Sequence, residues 1–411
     1  MLDQFDRNET RSWKTREAVT FRDFKAIISI AKSHASLLRK QMRGVDIARI
    51  KRREDLAQVP VIRRADLAHA TASEPPYGGV LASRPGFMRH LLPTSAAGHA
   101  RDWWNAARAM HAAGFAKNDI ILNCASYHMN YGGHLVDSGA SSLGCAVIPA
   151  GPAETDRLLE AIRRHTPNAY CGKPGVLRRI LEQAAATNID ISLLKKALVF
   201  GAPLSTHFRR ECEARGLRVR HAYTCPEIGV VAFETSALDG GFNEGMIVNE
   251  GVILEIVHPD TNEPVTPGQV GEIVVTRLNV DFPLLRFGTG DLSRIISGAS
   301  PCGRTNTRIQ GWMGRVEETV RFRDQVVLPS QVLAMGARHA CVQQMRLVFS
   351  GDAHKEESIL RVEGPDDDPQ LPINLKATMK SVLGFEARID IVRPGMLPRD
   401  GKLIADERPR A

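Results

Sequence analysis

The sequence lacks long apolar runs, paired cysteines and low-complexity tracts. No stretch approaches the roughly 18 consecutive apolar residues of a membrane-spanning helix, and the first residues lack the apolar core of a signal peptide. Seven cysteines without a Cys-x-x-Cys pair argue against a disulfide framework and a zinc ribbon. We therefore expect a soluble, cytoplasmic protein with reduced thiols and no membrane association.

Three widespread enzyme motifs are missing as well. The sequence has no Gly-x-x-x-x-Gly-Lys-Ser/Thr phosphate loop, no Rossmann glycine fingerprint and no Gly-x-Ser-x-Gly elbow. His128, His134 and Cys225 do not have the spacing of zinc ligands. These absences argue against P-loop, dinucleotide-binding and serine-hydrolase chemistry, and against a metal cluster.

The composition is that of an ordinary globular enzyme. With 411 residues, of which 43% are hydrophobic and 24% charged, the chain is long enough for one large domain and a smaller one. The net charge of +8 is spread over short basic groups such as residues 51–53, which indicates a solvated surface rather than a nucleic-acid patch. Binding of an anionic nucleotide or of coenzyme A would also account for the excess of positive charge.

The apolar pattern divides the chain into regions. Helical spacing over 21–42 and a helix from Trp103 to Gly114 precede an alternation of strands and helices, and that alternation predicts a parallel sheet covered by helices. Its predicted strands lie at 120–122, 145–148, 169–171, 197–200 and 217–220. Residues 252–257 and 272–276 predict an antiparallel hairpin. Beyond Gly314 the order is strand, helix, two strands, helix, strand, so we predict domains 1–313 and 314–411.

Two glycine-rich segments carry the strongest chemical signal. Residues 286–292 read Arg-Phe-Gly-Thr-Gly-Asp-Leu and place Asp291 on a turn beside glycine, and residues 308–318 place Arg315 in a glycine-rich stretch. An ionised carboxylate has several acceptor sites for hydroxyl groups. The combination suits an enzyme that holds a nucleotide ribose and then rotates a lid.

In their order and spacing these segments resemble the adenylate-forming superfamily, and most closely phenylacetate-CoA ligase and its relatives. The resemblance extends from residues 56–67 through 272–276, 283–292 and 328–331 to 397–402. It implies an α/β fold with parallel-rich sheets, helices and a β-rich region in a large N-terminal domain, followed by a small mobile α+β C-terminal lid. It also implies that a carboxylic acid is first converted to an acyl adenylate.

The resemblance assigns four residues to the ribose and the lid. Asp291 matches the aspartate that accepts hydrogen bonds from the ribose hydroxyls, and Arg315 the arginine that contacts ribose and phosphate. Lys402 matches the catalytic lysine that meets the α-phosphate and the substrate carboxylate during adenylation. Glu317 falls at the hinge. Taken alone, Asp291 reads as a turn residue, and Arg315 and Lys402 as surface cations.

Residues 223–227 match the motif Tyr-Gly-x-Thr-Glu of the family. By this resemblance Tyr223 stacks on adenine, Thr224 lies in the nucleotide site, and Glu227 helps to bind Mg²⁺. Gly201, Ala202 and Pro203 resemble the loop on the adenine side, although a helix-capping turn would look the same. Tyr127, Tyr131 and Gly132 resemble the wall of the acyl pocket, and a structural loop is an equal alternative.

The sequence departs from the family at three places. Ser95 and Gly98 remain from the phosphate loop, but alanines replace its hydroxyl-rich middle. Pro226 replaces a threonine and offers neither hydroxyl nor amide. Asp324 stands where related CoA ligases have glycine beside the pantetheine tunnel. These changes keep two alternatives open.

The main hypothesis is an ATP- and Mg²⁺-dependent ligase that joins an aryl acid to coenzyme A and releases AMP and pyrophosphate. One alternative keeps adenylation but transfers the acyl group to an amine or a carrier-protein thiol. The other is a nucleotide-binding homologue without turnover. The expected partners are small molecules, with no nucleic acid and no membrane, and the resemblance implies a homodimer.

Overall fold

The computed structural model describes most of the chain. It describes all residues except 1–3, 75–78, 80–84, 90–91, 96–101, 129, 239–241, 280–281, 324, 340, 353–354, 366, 399, 401 and 409–411. None of the helices in the described part of the chain combines the length and apolarity needed to cross a bilayer.

The chain forms two compact units. The first comprises residues 1–204, 208–289 and 293–311, and the second residues 205–207, 290–292 and 312–411. From Trp312 onward the whole chain belongs to the second unit, and this position is close to the predicted boundary at 314. The division into an adenylation domain and a moving lid stays a prediction.

A nine-stranded sheet dominates the first unit, and its strand order is β14-β15-β10-β9-β8-β7-β6-β4-β5. Its strands are β4 (Ile120–Asn123), β5 (Ala146–Ile148), β6 (Ala169–Gly172), β7 (Lys196–Val199), β8 (Arg218–Cys225), β9 (Gly229–Phe233), β10 (Met246–Val248), β14 (Ile295–Ile296) and β15 (Arg308–Ile309). Strands β4 to β8 pair in parallel, and the pairs from β8 to β14 are antiparallel. The predicted parallel sheet is confirmed.

Helices connect the parallel strands as the sequence pattern predicts. The connecting helices are α5 (Gly132–Leu143), α6 (Thr155–His165), α7 (Pro174–Ala186) and α8 (Thr206–Ala214), and α4 (Ala107–Ala112) precedes β4. Leu158, Leu177 and Phe208 from three of these helices pack on Leu122 and Val199 of the sheet, and all five are buried. Burial of such side chains supplies about 1.5–3 kcal/mol each, so this core fixes the strand ends that carry the candidate site.

A second sheet in the first unit has the order β1-β13-β12-β11. Its strands are β1 (Ile62–Arg63), β11 (Val252–Val257), β12 (Gly271–Arg277) and β13 (Leu284–Ser293), and β11 and β12 form the predicted antiparallel pair. A short hairpin, β2 (Pro85–Arg89) with β3 (Leu92–Ser95), stands apart from both larger sheets.

The N-terminal helices differ from the prediction in one respect. The continuous helix expected over 21–42 is two helices, α1 (Trp13–His34) and α2 (Ser36–Gln41), followed later by α3 (Arg64–Ser73). The break lies at Ala35, whose backbone is extended. Phe24, Ile28 and Leu38 nevertheless enter one buried core with Ile253, so the apolar pattern was read correctly although the break was missed.

The helix predicted from Trp103 starts later, at Ala107. Asp102 causes the difference, because its carboxylate accepts hydrogen bonds from the amides of Ala106 and Ala107 and so caps the helix from outside. Burial raises the pKa of Asp102 to about 6, although the two amide bonds oppose the shift. Trp103 therefore precedes the helix.

The second unit is a small α+β fold. Its elements are β16 (Val320–Phe322), β17 (Gln325–Val327), α9 (Pro329–Gly336), β18 (Gln344–Asp352), β19 (Lys355–Glu363), α10 (Leu371–Leu383), β20 (Arg388–Val392) and β21 (Ile404–Asp406). Four strands form a sheet in the order β20-β19-β18-β21, and Phe349, Leu360 and Leu375 are buried in its core. The structure follows the predicted order of elements with two additional strands, because a hairpin of β16 and β17 stands where one strand was predicted and β21 follows β20.

All seven cysteines are free thiols. Five are buried, Cys145 is half-buried, and Cys341 in the second unit is exposed.

Candidate functional site

The topology of the large sheet points to one edge. The chain runs from β4 outward to β5 and then crosses back to β6 on the other side of β4. In open parallel sheets, ligands bind outside the carboxyl ends of the strands where the direction of winding reverses. The loops after β4, β6, β7 and β8 all leave from this edge. The predicted residues at 127–132, 201–203 and 223–227 lie in or next to three of these loops.

The loop after β7 is small and exposed. Gly201 has a φ of +72°, a conformation that favours glycine, and both Gly201 and Pro203 are exposed. Desolvation lowers the pKa of His221 on β8, while a hydrogen bond with the backbone of Ala202 opposes this shift. The adenine-side assignment of this loop stays a prediction.

A hydrogen bond joins two of the predicted regions. The hydroxyl of Tyr131 lies 2.9 Å from the hydroxyl of Thr224 near the end of β8. A Cβ atom on Gly132 would lie 3.6 Å from the ring of Phe200, directly before the adenine-side loop. Tyr223 beside Thr224 is only 6% exposed. The structure thus brings Tyr131, Gly132 and Thr224 together with the end of β7.

Tyr127 is held by two polar neighbours that sequence analysis did not identify. Its hydroxyl donates to Asp137 at 2.8 Å and accepts from the buried amide of Asn123 at 2.7 Å. Burial, and then the bond to Asp137, raises the pKa of Tyr127 well above its usual value. A Cβ atom on Gly133 would lie 2.6 Å from the Tyr127 ring, so glycine is required beneath it. The ring is a fixed wall at the end of β4.

Glu227 follows β8 in a turn that explains Pro226. The amide of Ile228 donates to the carbonyl of Cys225 at 3.0 Å, which places Pro226 at the second position of a four-residue turn. Proline is favoured there because its φ is already set. Arg277 donates to the carbonyl of Glu227 at 3.1 Å. The departure from the family motif at Pro226 therefore has a structural reason.

The carboxylate of Glu227 is buried and engaged. Arg64 donates to both of its oxygens, from Nε at 2.7 Å and from Nη2 at 3.1 Å, and the Cys225 thiol donates at 2.8 Å. Burial alone would raise the pKa of Glu227, but the bond and charge of Arg64, followed by the thiol, hold it below its usual value. Glu227 is thus an ionised oxygen ligand, suited to Mg²⁺ when phosphates and water supply the other ligands.

Arg64 is a candidate site residue that sequence analysis missed. It opens α3, where Asp66 accepts the amide of Arg63 at 2.7 Å, and its side chain is half exposed. An exposed guanidinium next to an ionised carboxylate can also contact a phosphate. The matching stretch 56–67 was part of the resemblance, but 163 residues separate Arg64 from Glu227, so no local pattern could join them.

The remaining predicted residues of the ribose and lid lie in the second unit. Asp291 forms a β-bridge with Arg315, and its carboxylate accepts from the indole of Trp312 at 3.1 Å and from Arg315 at 3.5 Å. Gly290 has a φ of +76°, and a Cβ atom there would lie 3.2 Å from the guanidinium of Arg315. Glu317, the predicted hinge residue, accepts from Arg315 at 2.9 Å and is exposed.

Lys402 is exposed and belongs to the same charged group. Burial raises the pKa of Glu318, whereas the charges of Arg315 and Lys402 lower it and those of Glu317 and Asp291 raise it. The second unit therefore brings Asp291, Arg315 and Lys402 into electrostatic range of one carboxylate. Their roles toward a nucleotide stay predictions.

Some predicted residues cannot be placed in full. Ser95 ends the strand β3, of which only the backbone is described. Gly98 and Asp324 lie outside the described residues. The effects of the alanines in the phosphate loop and of Asp324 beside the pantetheine tunnel stay predictions.

Arg286, the first residue of the strongest motif, has a structural role. Its backbone has a φ of +42°, unusual for arginine, and its buried guanidinium donates to Glu255 at 3.2 Å and to the carbonyl of Val59 at 2.9 Å. Gly288 in the same motif packs on the ion pair of Arg63 and Glu272, where a Cβ atom would clash. These contacts fasten β13 to its neighbours.

Known proteins resemble this chain in sequence and in fold. The model of the AMP-binding enzyme family matches residues 96–280. Phenylacetate-coenzyme A ligase of Aromatoleum evansii is 25% identical over 90% of this chain and 88% of its own length. The enzyme of that name from Thermus thermophilus is 29% identical over 62% of this chain and 59% of its own length.

The crystal structure of a 2-hydroxyisobutyryl-CoA ligase with an acyl-AMP superposes with a TM-score of 0.82, covering 98% of this chain and 91% of that one at 23% identity. The predicted adenylate-forming fold is confirmed. Over residues 96–280 the chain is similar to the AMP-binding enzymes, and phenylacetate-CoA ligases are among its relatives.

Proposed function

We propose that this chain activates an aryl carboxylic acid with ATP and transfers the acyl group to coenzyme A. The observation that carries the proposal is the convergence of Tyr131, Thr224 and Glu227 with the adenine-side loop at the carboxyl edge of one sheet, in a chain related to phenylacetate-CoA ligases. The assignment as an AMP-forming acid–thiol ligase agrees with these relatives.

The reaction has two balanced steps. In the first, a carboxylate oxygen attacks the α-phosphorus of ATP, a bond from that oxygen to phosphorus forms, and the bond to the β-phosphate breaks with loss of pyrophosphate. In the second, the sulfur of coenzyme A attacks the acyl carbon, the bond to AMP breaks, and the thiol proton passes to solvent. AMP leaves more readily than the hydroxide that direct condensation would require.

The residues of the first unit hold the ATP base, its phosphates and the acid. Gly201, Ala202, Pro203 and Tyr223 receive the adenine, and Tyr127, Tyr131 and Gly132 border the acid. Glu227 supplies a carboxylate ligand for Mg²⁺, which would shield the phosphate charge from the incoming carboxylate. Arg64, half exposed beside Glu227, adds positive charge for the phosphates.

The residues of the second unit act on the ribose and the reacting phosphate. Asp291 accepts hydrogen bonds from the ribose hydroxyls, and Arg315 contacts ribose and phosphate. Lys402 stabilises the charge that develops on the α-phosphate, a role whose loss commonly costs about 10²- to 10³-fold in rate. Glu317 is the proposed hinge between the adenylation and thioester-forming conformations.

Two further features complete the proposal. A cytoplasmic location is supported by the seven free thiols. A homodimer is proposed from the resemblance to phenylacetate-CoA ligases alone.

The decisive experiment measures pyrophosphate release with a panel of arylacetic and benzoic acids, followed by mass spectrometry of the acyl product. We expect acid-dependent release and a coenzyme A thioester in wild type, and about a hundredfold slower release in Lys402→Ala. Lys376→Ala, an exposed lysine of α10, is the matched control.

Each alternative has its own outcome. Detection of the acyl group on an amine or a carrier protein, but not on coenzyme A, would show that coenzyme A is not the acceptor. Binding of ATP without pyrophosphate release from any acid would establish a homologue without turnover. Equal release from wild type and Lys402→Ala would remove the role assigned to Lys402.

A further inference from the structure

A buried arginine in the second unit grips the backbone that carries Lys402. Arg346 on β18 is only 7% exposed. Its Nε donates to the carbonyl of Lys402 at 3.1 Å, and its Nη2 donates to the carbonyl of Pro398 at 3.2 Å and to the carboxylate of Asp400. One planar guanidinium therefore contacts three residues within a span of five.

Other polar groups fasten the same segment. Gln344 donates to the carbonyl of Pro398 at 3.0 Å, and Asp400 accepts the amide of Lys402 at 3.0 Å. Just before the segment, Leu397 donates its amide to buried Glu363 at 2.7 Å. Side chains from β18 and β19 thus hold the backbone of Leu397, Pro398 and Lys402.

The charged groups of this cluster interact in the order Arg346, Asp400, Lys402 and Glu318. The amide of Lys402, and then the guanidinium of Arg346, hold the pKa of Asp400 below its usual value although burial opposes them. The ionised Asp400 accepts hydrogen bonds from the guanidinium of Arg346 and from the backbone amide of Lys402, so it joins the arginine to that backbone. The ammonium of Lys402 in turn acts on Glu318. Arg346 thus holds the backbone of Lys402, while the side chain of Lys402 remains exposed.

We propose that Arg346 is a positioning residue that sets where the ammonium of Lys402 lies during adenylation. The inference rests on the proposed function, because it takes the role of Lys402 from there. A displacement of about 1 Å in a catalytic group can cost on the order of 10²-fold in rate. A guanidinium suits the task because its fixed fork binds several oxygens at once, which an ammonium on a flexible stem cannot do.

The test separates the two half-reactions. We expect Arg346→Met to slow formation of the acyl adenylate from acid and ATP about 10- to 100-fold. The same variant should convert added acyl adenylate and coenzyme A to thioester within about twofold of wild type, since Lys402 acts in the first step. Arg346→Lys should recover part of the rate, because it can still pair with Asp400 but cannot bridge both carbonyls.

Arg361→Met is the matched control. Arg361 lies directly opposite Arg346 on β19, but its side chain pairs with Asp390 rather than with the Lys402 segment. We expect both half-reactions of this variant to remain at the wild-type rate. Equal losses in the two arginine variants would overturn the inference, and so would a parallel loss of both half-reactions in Arg346→Met.

A second measurement requires no turnover. Hydrogen exchange of a peptide spanning residues 397–403 should be at least about tenfold faster in Arg346→Met than in wild type, and unchanged in Arg361→Met, because the Lys402 amide loses its ordered acceptor. Unchanged exchange in Arg346→Met overturns the inference even if no acid is activated. Absence of activity in wild type with normal exchange behaviour would instead reject the proposed function.

Discussion

The carboxylates of Glu227 and Asp291, both assigned to ATP, are held in different ways. The Glu227 side chain is 3% exposed and receives two bonds from Arg64 and one from the Cys225 thiol. The Asp291 side chain is 16% exposed, with the Trp312 indole at 3.1 Å and Arg315 at a longer 3.5 Å. We therefore expect the Glu227 side chain to contribute more to stability than the Asp291 side chain.

The largest effect should come from Asp291→Ala. Loss of charge-assisted bonds to two ribose hydroxyls should lower kcat/KM for ATP about 10²-fold, since each bond to a charged group contributes about 1.5–3 kcal/mol. The melting temperature should stay within about 2 °C of wild type. Pyrophosphate release at varied ATP and a thermal melt measure both, with Asp390→Ala on β20 as the control. A large fall in the melting temperature of Asp291→Ala would contradict the expectation that Asp291 contributes less to stability than Glu227.

Glu227→Ala should lower stability as well as activity. Removing the buried carboxylate leaves Arg64 and the Cys225 thiol without this acceptor, at a cost of about 1–2 kcal/mol because the arginine is half exposed. Glu227→Gln should cost less, since its amide oxygen can still accept one bond. Melting temperatures of Glu227→Ala, Arg64→Ala and the double variant test the pair, and strictly additive losses would show that the two residues act separately.

A smaller effect is expected at the end of β4. Tyr127→Phe removes the hydroxyl bonded to Asn123 and Asp137, so the ring loses its anchor while its shape is kept. A loss of about 1 kcal/mol in the binding free energy of the acid corresponds to a roughly fivefold higher KM for the acid. The KM for ATP should be unchanged. Steady-state kinetics with each substrate varied in turn measures this. Tyr170→Phe, a buried tyrosine of β6 whose hydroxyl donates to a backbone carbonyl, is the control.

The smallest effect concerns a third carboxylate, Asp102, where burial raises the pKa to about 6 although two backbone amides oppose the shift. Its contribution to stability is fully present below about pH 4, the range of its unfolded form, and is lost as pH rises through the folded value. Asp102→Asn lacks this dependence. Between about pH 5 and pH 7.5 the free energy of unfolding of this variant should therefore gain on the order of 1 kcal/mol relative to wild type, which its melting temperature reports as a relative increase. A constant difference across this range would contradict the shift.

The sequence was sufficient for the order of elements and for most strand ends. The regular spacing of apolar residues predicts the parallel strands. The glycines directly before Asp291 and Arg315 have positive φ angles, and a short sequence motif is enough to indicate such turns. The family resemblance then supplied roles for residues at these strand ends. Such features are local in the chain or repeat with a fixed period, so they can be read without coordinates.

The missing parts depend on contacts between distant residues. Arg64 meets Glu227 across 163 residues, and Arg346 meets Asp400 across 54. In the sequence each is one arginine among 54 basic residues, with nothing to distinguish a buried clamp from a surface charge. The helix break at Ala35 was missed for the opposite reason, because apolar spacing continues through it although the backbone does not.

The distribution of the thiols gives the second unit a built-in attachment point. Five cysteines are shielded by the core, and burial, then the charge of Asp119, raises the pKa of half-buried Cys145 to about 11, which leaves little thiolate at neutral pH. A maleimide fluorophore should therefore attach first at exposed Cys341, so rotation of the proposed lid can be followed optically in the natural sequence.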